Sequence, residues 1–317
     1  MKNIVVVGSL NMDLIVEVDR VPRVGETIKG ENMNYLIGGK GCNQAVAASR
    51  LGNKVKMIGC IGDDSFGNEI LNHLKKDGVN VDSIKKVDNI STGIATIFKM
   101  KYDNSIIVIP AANNYCSKEL IDENIDVIKN ADILITQLEI PIETVEYVLK
   151  IAKENGVKTI LNPAPAREIS NDILKNVDFI TPNETEFEVI LAKELKDAKE
   201  LEEAMIYWQN KNKCTKLIVT RGKDGSSYVE DNKVKTISTI EVEVIDTTGA
   251  GDTFNGALAH GITNELLMDD AITFAGIAAS LSVTKFGAQT GMPEIKEVKS
   301  ILNNLNLFQN SKYYDKL

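Results

Sequence analysis

The 317 residues carry 45 Asp and Glu against 36 Lys and Arg, a net charge of −9, and 43% of them are hydrophobic. That is enough apolar material for one large α/β domain or two modest ones without covalent staples. A pI near 5.0 and the lack of any Lys/Arg cluster exclude a nucleic-acid binder, so any bound phosphate has to be held locally.

The four cysteines, Cys42, Cys60, Cys116 and Cys214, are widely spaced with no CxxC pair. Reduced thiols fit better than a zinc site or a disulfide framework. MKNIVVVGSLNMD lacks the pattern of a signal peptide, and no window approaches the roughly 18 apolar residues of a membrane span, so a cytoplasmic location is expected. Only His73 and His260 are present, and His73 falls in a helical stretch. Carboxylates, lysines and backbone amides are therefore expected to carry the chemistry.

In chain order, Ile4 to Val7 reads as a buried strand and Asn11 to Val18 as an alternating one. GGKGCNQAVAASRLG is a glycine turn opening a small-residue helix, and the strand-like KVKMIGCIG follows. DDSFGNEILNHLKKDGV sets Phe66, Ile70, Leu71 and Leu74 on one helical face and ends at Gly78, a C-cap candidate. From residue 117 short apolar strands alternate with helices. The strands are Ile133 to Gln137, Lys158 to Leu161, Phe179 to Thr181, Leu217 to Thr220 and Val242 to Ile245. The helices are about Ile142 to Asn155, Glu184 to Leu191, Ala198 to Asn210, Asp252 to Ile262 and Asp269 to Thr284. This predicts an α/β fold, a doubly wound and mainly parallel sheet with helices on both faces.

Leu14 to Leu36 and Thr92 to Ile109 break the rhythm with alternation and turn residues. They predict antiparallel strands forming one small β lid over a single domain of residues 1–317, with an open edge suited to a dimer contact. The tail NLNLFQNSKYYDKL loses the helical pattern and reads as a docked or frayed end.

Chemistry concentrates in EVEVIDTTGAGDTFNGALAHGI, a strand, a glycine turn and a helix. Amides of Gly249, Ala250 and Gly251 at a helix N-terminus make an anion site. Asp252 is either an N-cap or a general base facing a phosphoryl group held by those amides, kept ionised by the helix N-terminus. GSLNMD after the first strand is not a GxGxxG fingerprint, and a Walker A loop is absent, which disfavours a nicotinamide dehydrogenase and a P-loop NTPase.

DTTGAGD (246–252) and GGKGCNQA (38–45) resemble the two signatures of the PfkB family of carbohydrate kinases, the ribokinase-like kinases. GSLNMD, QLE (137–139), NPAPAR (162–167), TPNETE (181–186) and GAQ (287–289) extend the resemblance over nearly the whole chain. The resemblance implies a ribokinase-like fold and transfer of the ATP γ-phosphoryl group to O5 of a sugar. D-ribose is the leading acceptor, with 2-deoxyribose, another sugar or a nucleoside as alternatives. A non-catalytic sugar sensor that kept the fold is a further one.

The resemblance also implies roles by position. Asn11, Met12, Asp13, Gly39, Lys40, Gly41, Cys42, Asn43 and Glu139 would form the sugar site, with Asp252 as base and Gly249, Ala250 and Gly251 as the anion hole. Thr220, Arg221, Gly222, Lys223, Asp224 and Gly225 would line the ATP site with Asn183, Gly251 and Asp252. Asn183 and Glu186 would organise Mg²⁺ through water. Asp246, Thr248, Ser282, Lys285, Gly287 and Gly291 would hold an activating K⁺. The lid would mediate a homodimer. Gly276 stands where other members place a side chain against adenine, and Cys42 replaces a more usual alanine.

Overall fold

The computed structural model describes residues 2–101, 103–305 and 307. Strand β1 (Asn3–Val7) leads into β2 (Asn11–Glu17) and β3 (Asn32–Gly38), followed by α1 (Lys40–Arg50), β4 (Lys54–Gly62), α2 (Ser65–Lys76) and β5 (Asn80–Val87). A second excursion, β6 (Gly93–Lys99) and β7 (Asn104–Ile109), precedes α3 (Lys118–Glu123) and α4 (Ile125–Lys129). Alternation then runs through β8 (Ile133–Thr136), α5 (Ile142–Glu154), β9 (Lys158–Leu161), α6 (Asn171–Leu174), β10 (Phe179–Ile180), α7 (Glu184–Leu191), α8 (Ala198–Lys211) and β11 (Lys216–Thr220). The hairpin β12 (Ser226–Glu230) and β13 (Lys233–Ile237) and the helices α9 (Ala250–Thr263), α10 (Met268–Ser282) and α11 (Ile295–Asn304) follow.

Nine strands form the large sheet in the order β13-β12-β11-β10-β9-β8-β1-β4-β5. Every pairing from β11 to β5 is parallel, and only the β12 and β13 hairpin runs antiparallel. Central strands are apolar on both faces because each face supports its own core. Ile4 and Val6 of β1 join the cluster that includes α1, α9 and α10, whereas Val5 and Val7 join the one under α5 and α8. Among the described residues no helix is long and apolar enough to cross a membrane.

The two rhythm-breaking segments meet in a separate four-stranded sheet, β3-β2-β6-β7. It is mixed rather than antiparallel: β2 pairs antiparallel with β3 but parallel with β6, which pairs antiparallel with β7. Both β2 and β6 enter from the same side of the large sheet, so they must run the same way. Edge strand β7 leaves Ile106, Ile107, Val108 and Ile109 47 to 56% exposed.

Other expectations change. Val242 to Ile245 forms no strand, because the sheet edge is already taken by the β12–β13 hairpin. The amides of Ile245 and Asp246 instead donate to the Val283 carbonyl at 2.8 and 3.2 Å. That hairpin was not predicted, although its turn residues Asp231 and Asn232, at φ 49° and 60°, are a typical two-residue hairpin turn pair. Of the tail, Asn304 ends α11 and Leu307 packs on the core. Residue 306 and residues 308–317 of that segment lie outside the described residues.

Helices α1 and α9 cross at a glycine. A Cβ on Gly256 would sit 2.8 Å from Ala47 Cβ and from the Ala48 amide nitrogen, so the small-residue face of α1 is what lets α9 approach. Gly256→Ala is expected to lower stability by about 1–3 kcal/mol through overpacking. Urea unfolding would read this as a lower midpoint at constant slope, and an unmoved midpoint would show that the crossing tolerates a methyl group.

Candidate active site

The site lies at the C-terminal edge of the parallel strands, where the chain leaves β1 and where α1, α7 and α9 begin. Close approach is built from glycines at two points. A Cβ on Gly41 would stand 2.6 Å from the Ser9 amide nitrogen, so the start of α1 presses on the turn after β1. Gly249, at φ 79°, is the residue preceding α9 and packs on Ala288, where a Cβ would come to 2.9 Å from that alanine's own.

Asp252 occupies the first turn of α9, and the N-cap is Gly249, so the capping alternative for Asp252 does not hold. Its side chain points inward and is buried. Two residues of α1 clamp it: Asn43 Nδ2 donates to Oδ2 and Gln44 Nε2 donates to Oδ1, each at 2.9 Å. Gln44 is held in turn, accepting from Gln137 Nε2 at 2.6 Å and donating to Asn162 Oδ1 at 3.1 Å. The expectation that the helix N-terminus holds this carboxyl low is corrected. Burial pushes it up from its ordinary value, against the Lys40 ammonium and the Asn43 and Gln44 donors. A raised proton affinity suits a base working near neutral pH.

At the expected anion hole the two later residues differ in their surroundings. Ala250 N–H donates to the Thr247 carbonyl at 3.3 Å, while a Cβ on Gly251 would meet nothing within 4 Å, so the open space is at Gly251.

Asn11 and Asp13, two of the expected sugar contacts, sit at the start of β2. Met12 between them points the other way into the core, because side chains alternate along a strand, so its predicted contact is limited to backbone. Asn113 orients Asn11, with its Nδ2 2.8 Å from Asn11 Oδ1 and its Oδ1 accepting from Leu10 N–H at 2.9 Å. That leaves the Asn11 amide nitrogen as the group presented outward. Glu139 accepts from Ser9 Oγ and, at 3.0 Å, from Lys40 N–H. A cavity of about 490 Å³ is lined by Asn11, Asn113 and Glu139, and one of about 390 Å³ under the small sheet by Asp13, Ile97 and Asp246.

Charge is unbalanced here. Asp13 rises to about 7, first through burial and then through Glu139 and Asp252, with Lys40 opposing. Burial alone would lower Lys40, but Asp252, Glu139, Glu186 and Asp13 outweigh it and hold its ammonium above the usual range. Cys42 lies beneath the loop, buried, its thiol pushed up to about 12 by burial. It acts as packing and not as an exposed nucleophile. Asn43 spends its carboxamide on Asp252 and Gln289.

Thr220 N–H donates to the Pro182 carbonyl at 2.9 Å, setting the 220–225 loop against Asn183. Arg221 pairs with Glu184 at 3.1 Å, Gly222, Lys223 and Asp224 form an exposed turn, and Gly225, at φ 85°, passes so close to Ile237 that a Cβ would lie 2.0 Å from its carbonyl oxygen. Asn183 and Glu186 form a reciprocal capping box on α7: Glu186 N–H donates to Asn183 Oδ1 at 2.7 Å and Asn183 N–H to Glu186 Oε2 at 2.9 Å. Burial raises the Glu186 carboxyl. Gly276 leaves room for Thr239, whose Oγ1 would be 3.3 Å from an added Cβ.

The 246–248 loop is tied to the turn after α10. Asp246 accepts from Thr248 N–H at 3.0 Å and Oγ1 at 2.7 Å, and from Gly287 N–H at 2.9 Å. Burial would raise its carboxyl, but these bonds and Lys99 hold it below the ordinary value. Gly291 runs against Ser282, where a Cβ would be 1.9 Å from the carbonyl oxygen, and Lys285 is exposed in the same turn.

Residues missed in the sequence are mostly amides one step behind these groups: Gln44, Asn113, Gln137, Asn162 and Gln289. All but Asn113 fall inside the motif stretches quoted above, where their spacing beside an assigned residue was the available signal. His260 is structural, stacked on Phe274 at 5.0 Å between centroids, and burial lowers it to about 4.

A model of the pfkB family carbohydrate kinases matches residues 1–295. The chain is 43% identical to a ribokinase of Lactococcus lactis over 308 residues, 97% of this chain and 99% of that protein. It is 42% identical to a ribokinase of Bacillus subtilis over 303 residues, 96% of this chain and 100% of that one. The solved structure of Arabidopsis thaliana ribokinase complexed with ribose and ATP superposes with a TM-score of 0.88 at 34% identity, covering 95% of this chain and 98% of that one. With the two signature segments meeting at Asp252, the chain belongs to the pfkB family of carbohydrate kinases.

Proposed function

We propose that this chain transfers the γ-phosphoryl group of ATP to the 5-hydroxyl of D-ribose, giving ribose 5-phosphate and ADP. The observation that carries the reading is the buried Asp252, clamped through both oxygens at the N-terminal turn of α9 beside the open Gly251. Asp252 takes the proton of the 5-hydroxyl as O5 bonds to the γ-phosphorus. The bond from that phosphorus to the β,γ-bridging oxygen breaks, and ADP leaves with the electron pair. The helix N-terminus faces the charge that builds on the transferring group. Asn11, Asp13 and Glu139 read sugar hydroxyls, Lys40 adds a cation among the carboxylates, and the 220–225 loop with Asn183 receives the nucleotide. The small sheet covers the sugar and keeps water from competing for the phosphoryl group.

The residues fit the two cations implied by the family. The capping box engages Glu186 through Oε2, with no bond to Oε1 among the described residues, and four carboxylates act on the Lys40 ammonium, so Asn183 and Glu186 would hold Mg²⁺ through water. Asp246, Thr248 and Gly287 already converge, and Ser282, Lys285 and Gly291 lie on the facing turn, so K⁺ would sit between them. Bound, the cations neutralise phosphate charge and stiffen the loop. The exposed aliphatic edge of β7 is the surface for a homodimer, and Ile107→Lys should give monomers in sedimentation velocity. A wild-type chain that is itself monomeric at micromolar concentration would remove that reading.

A panel of sugars with ATP, Mg²⁺ and K⁺ tests the activity. D-ribose should be turned over fastest, activity should vanish on Mg²⁺ chelation and fall when tetramethylammonium replaces K⁺, and Asp252→Ala should lower kcat by about 10²–10⁴. Asn11 presents a donor, and a site built to bond a hydroxyl rejects the analogue lacking it, so 2-deoxyribose should be the poorer substrate. Equal turnover of both would refute the ribose preference, and no turnover of any sugar would favour a binding protein.

The Asp13 carboxyl, near 7, gives a sign to the pH dependence. Its carboxylate form, which accepts a hydroxyl proton, dominates above pH 7 and is lost as pH falls below it. KM for ribose should rise about tenfold per pH unit below 7, and Asp13→Asn should flatten the profile. A wild-type KM constant from pH 5.5 to 8 would show that Asp13 binds no hydroxyl as a carboxylate.

A further inference from the structure

A directed chain of hydrogen bonds reaches Asp252 from the partly exposed face of α2. His73 Nε2 lies 2.7 Å from Gln289 Oε1 and 3.1 Å from Asp77 Oδ2, and Arg50 Nε holds Asp77 at 2.8 Å. Gln289 Nε2 lies 2.8 Å from Asn43 Oδ1, and Asn43 Nδ2 donates to Asp252. Acids at the two ends settle its direction. A carboxylate only accepts, so Asn43 must turn its nitrogen to Asp252 and its oxygen away. That oxygen needs a donor, which among the described residues is the nitrogen end of Gln289. Gln289 Oε1 then needs a donor too, and Asp77 on the same ring nitrogen requires the His73 proton to be on Nε2.

We propose that Gln289, oriented by His73, is a positioning residue that locks the Asn43 carboxamide in the orientation that donates to Asp252. The role rests on Asp252 being the base. Gln289 is buried and touches no reacting atom. Its action is on the protonation of Asp252 through Asn43, because an ionised acceptor gains more from a donor than a neutral one does.

Other charged groups bear on the same carboxyl: Lys40 at the start of α1, Asp13 on β2, Glu139 after β8 and Glu186 on α7. Their bonds do not run through Gln289. The Cys42 thiol does contact Gln289 and stays neutral in the working range. Around His73 stand Asp77, Arg50 and Glu69, which line or hold the same outer pocket.

The test is kcat against pH at saturating ribose and ATP for Gln289→Glu and Gln289→Met, with thermal unfolding of each and Asp252→Ala alongside. A carboxylate at 289 accepts only, so Asn43 must reverse and turn its oxygen on Asp252. The acid limb should move up by about one pH unit, with kcat near pH 6.5 roughly tenfold lower. Gln289→Met releases Asn43 without reversing it, and its limb should move the same way by less. Lower unfolding temperatures with the wild-type acid limb in both variants would mean that Gln289 only packs, and would overturn the proposal. Should Gln289→Glu not fold, the methionine variant decides by the same limb. Wild-type kcat in Asp252→Ala would sink the base assignment itself, whereas loss of activity there with unmoved limbs at Gln289 would sink only the positioning role.

Discussion

The site depends on one contact, the grip of two α1 carboxamides on the Asp252 carboxylate. Neither helix could deliver it alone. Asn43 and Gln44 follow the glycine turn that starts α1, Asp252 follows the one that starts α9, and the two helices are brought within reach by the alanines and Gly256 at their crossing. A buried carboxylate without donors would simply take up a proton and stop acting as a base. With a donor on each oxygen it stays responsive while its affinity for protons is still raised by the dry surroundings.

The electrostatics follow from that burial. Four carboxylates, Asp13, Glu139, Glu186 and Asp252, act together on the Lys40 ammonium. Their shared field favours cations and hydroxyl donors. On the proposed reading, a protein with a net charge of −9 handles a nucleotide because local amides and a cation would do what a basic surface does elsewhere.

Much of this was legible in the residues. Parallel strands announce themselves as short apolar runs, and DTTGAGD and GGKGCNQA carry their glycines where backbone must approach backbone. The failures have physical causes. Val242 to Ile245 alternates like a strand, but a strand needs a free sheet edge, and pattern alone cannot show that the edge is occupied. The parallel pairing of β2 with β6 depends on where both leave the large sheet, a property of topology and not of either segment. Met12 was swept in with its neighbours although alternation sends it to the core. The amides behind the site, Gln44, Gln137 and Gln289, were passed over because a carboxamide in a helix or turn gives no sign of its partner, which lies 93, 208 or 246 residues away.

The small sheet has one property that its size conceals. One of its two inner strands, β2, begins at Asn11, four residues after β1 ends, so the residues proposed to read the sugar form the first rung of the sheet proposed to cover it. Asn11 pairs there with Gly38 and Gly93 on its two neighbours. On that proposal recognition and enclosure are not separate parts joined by a hinge: any tilt of the small sheet carries Asn11 and Asp13 with it. Choosing a sugar and shutting it in would then share a single mechanical coordinate.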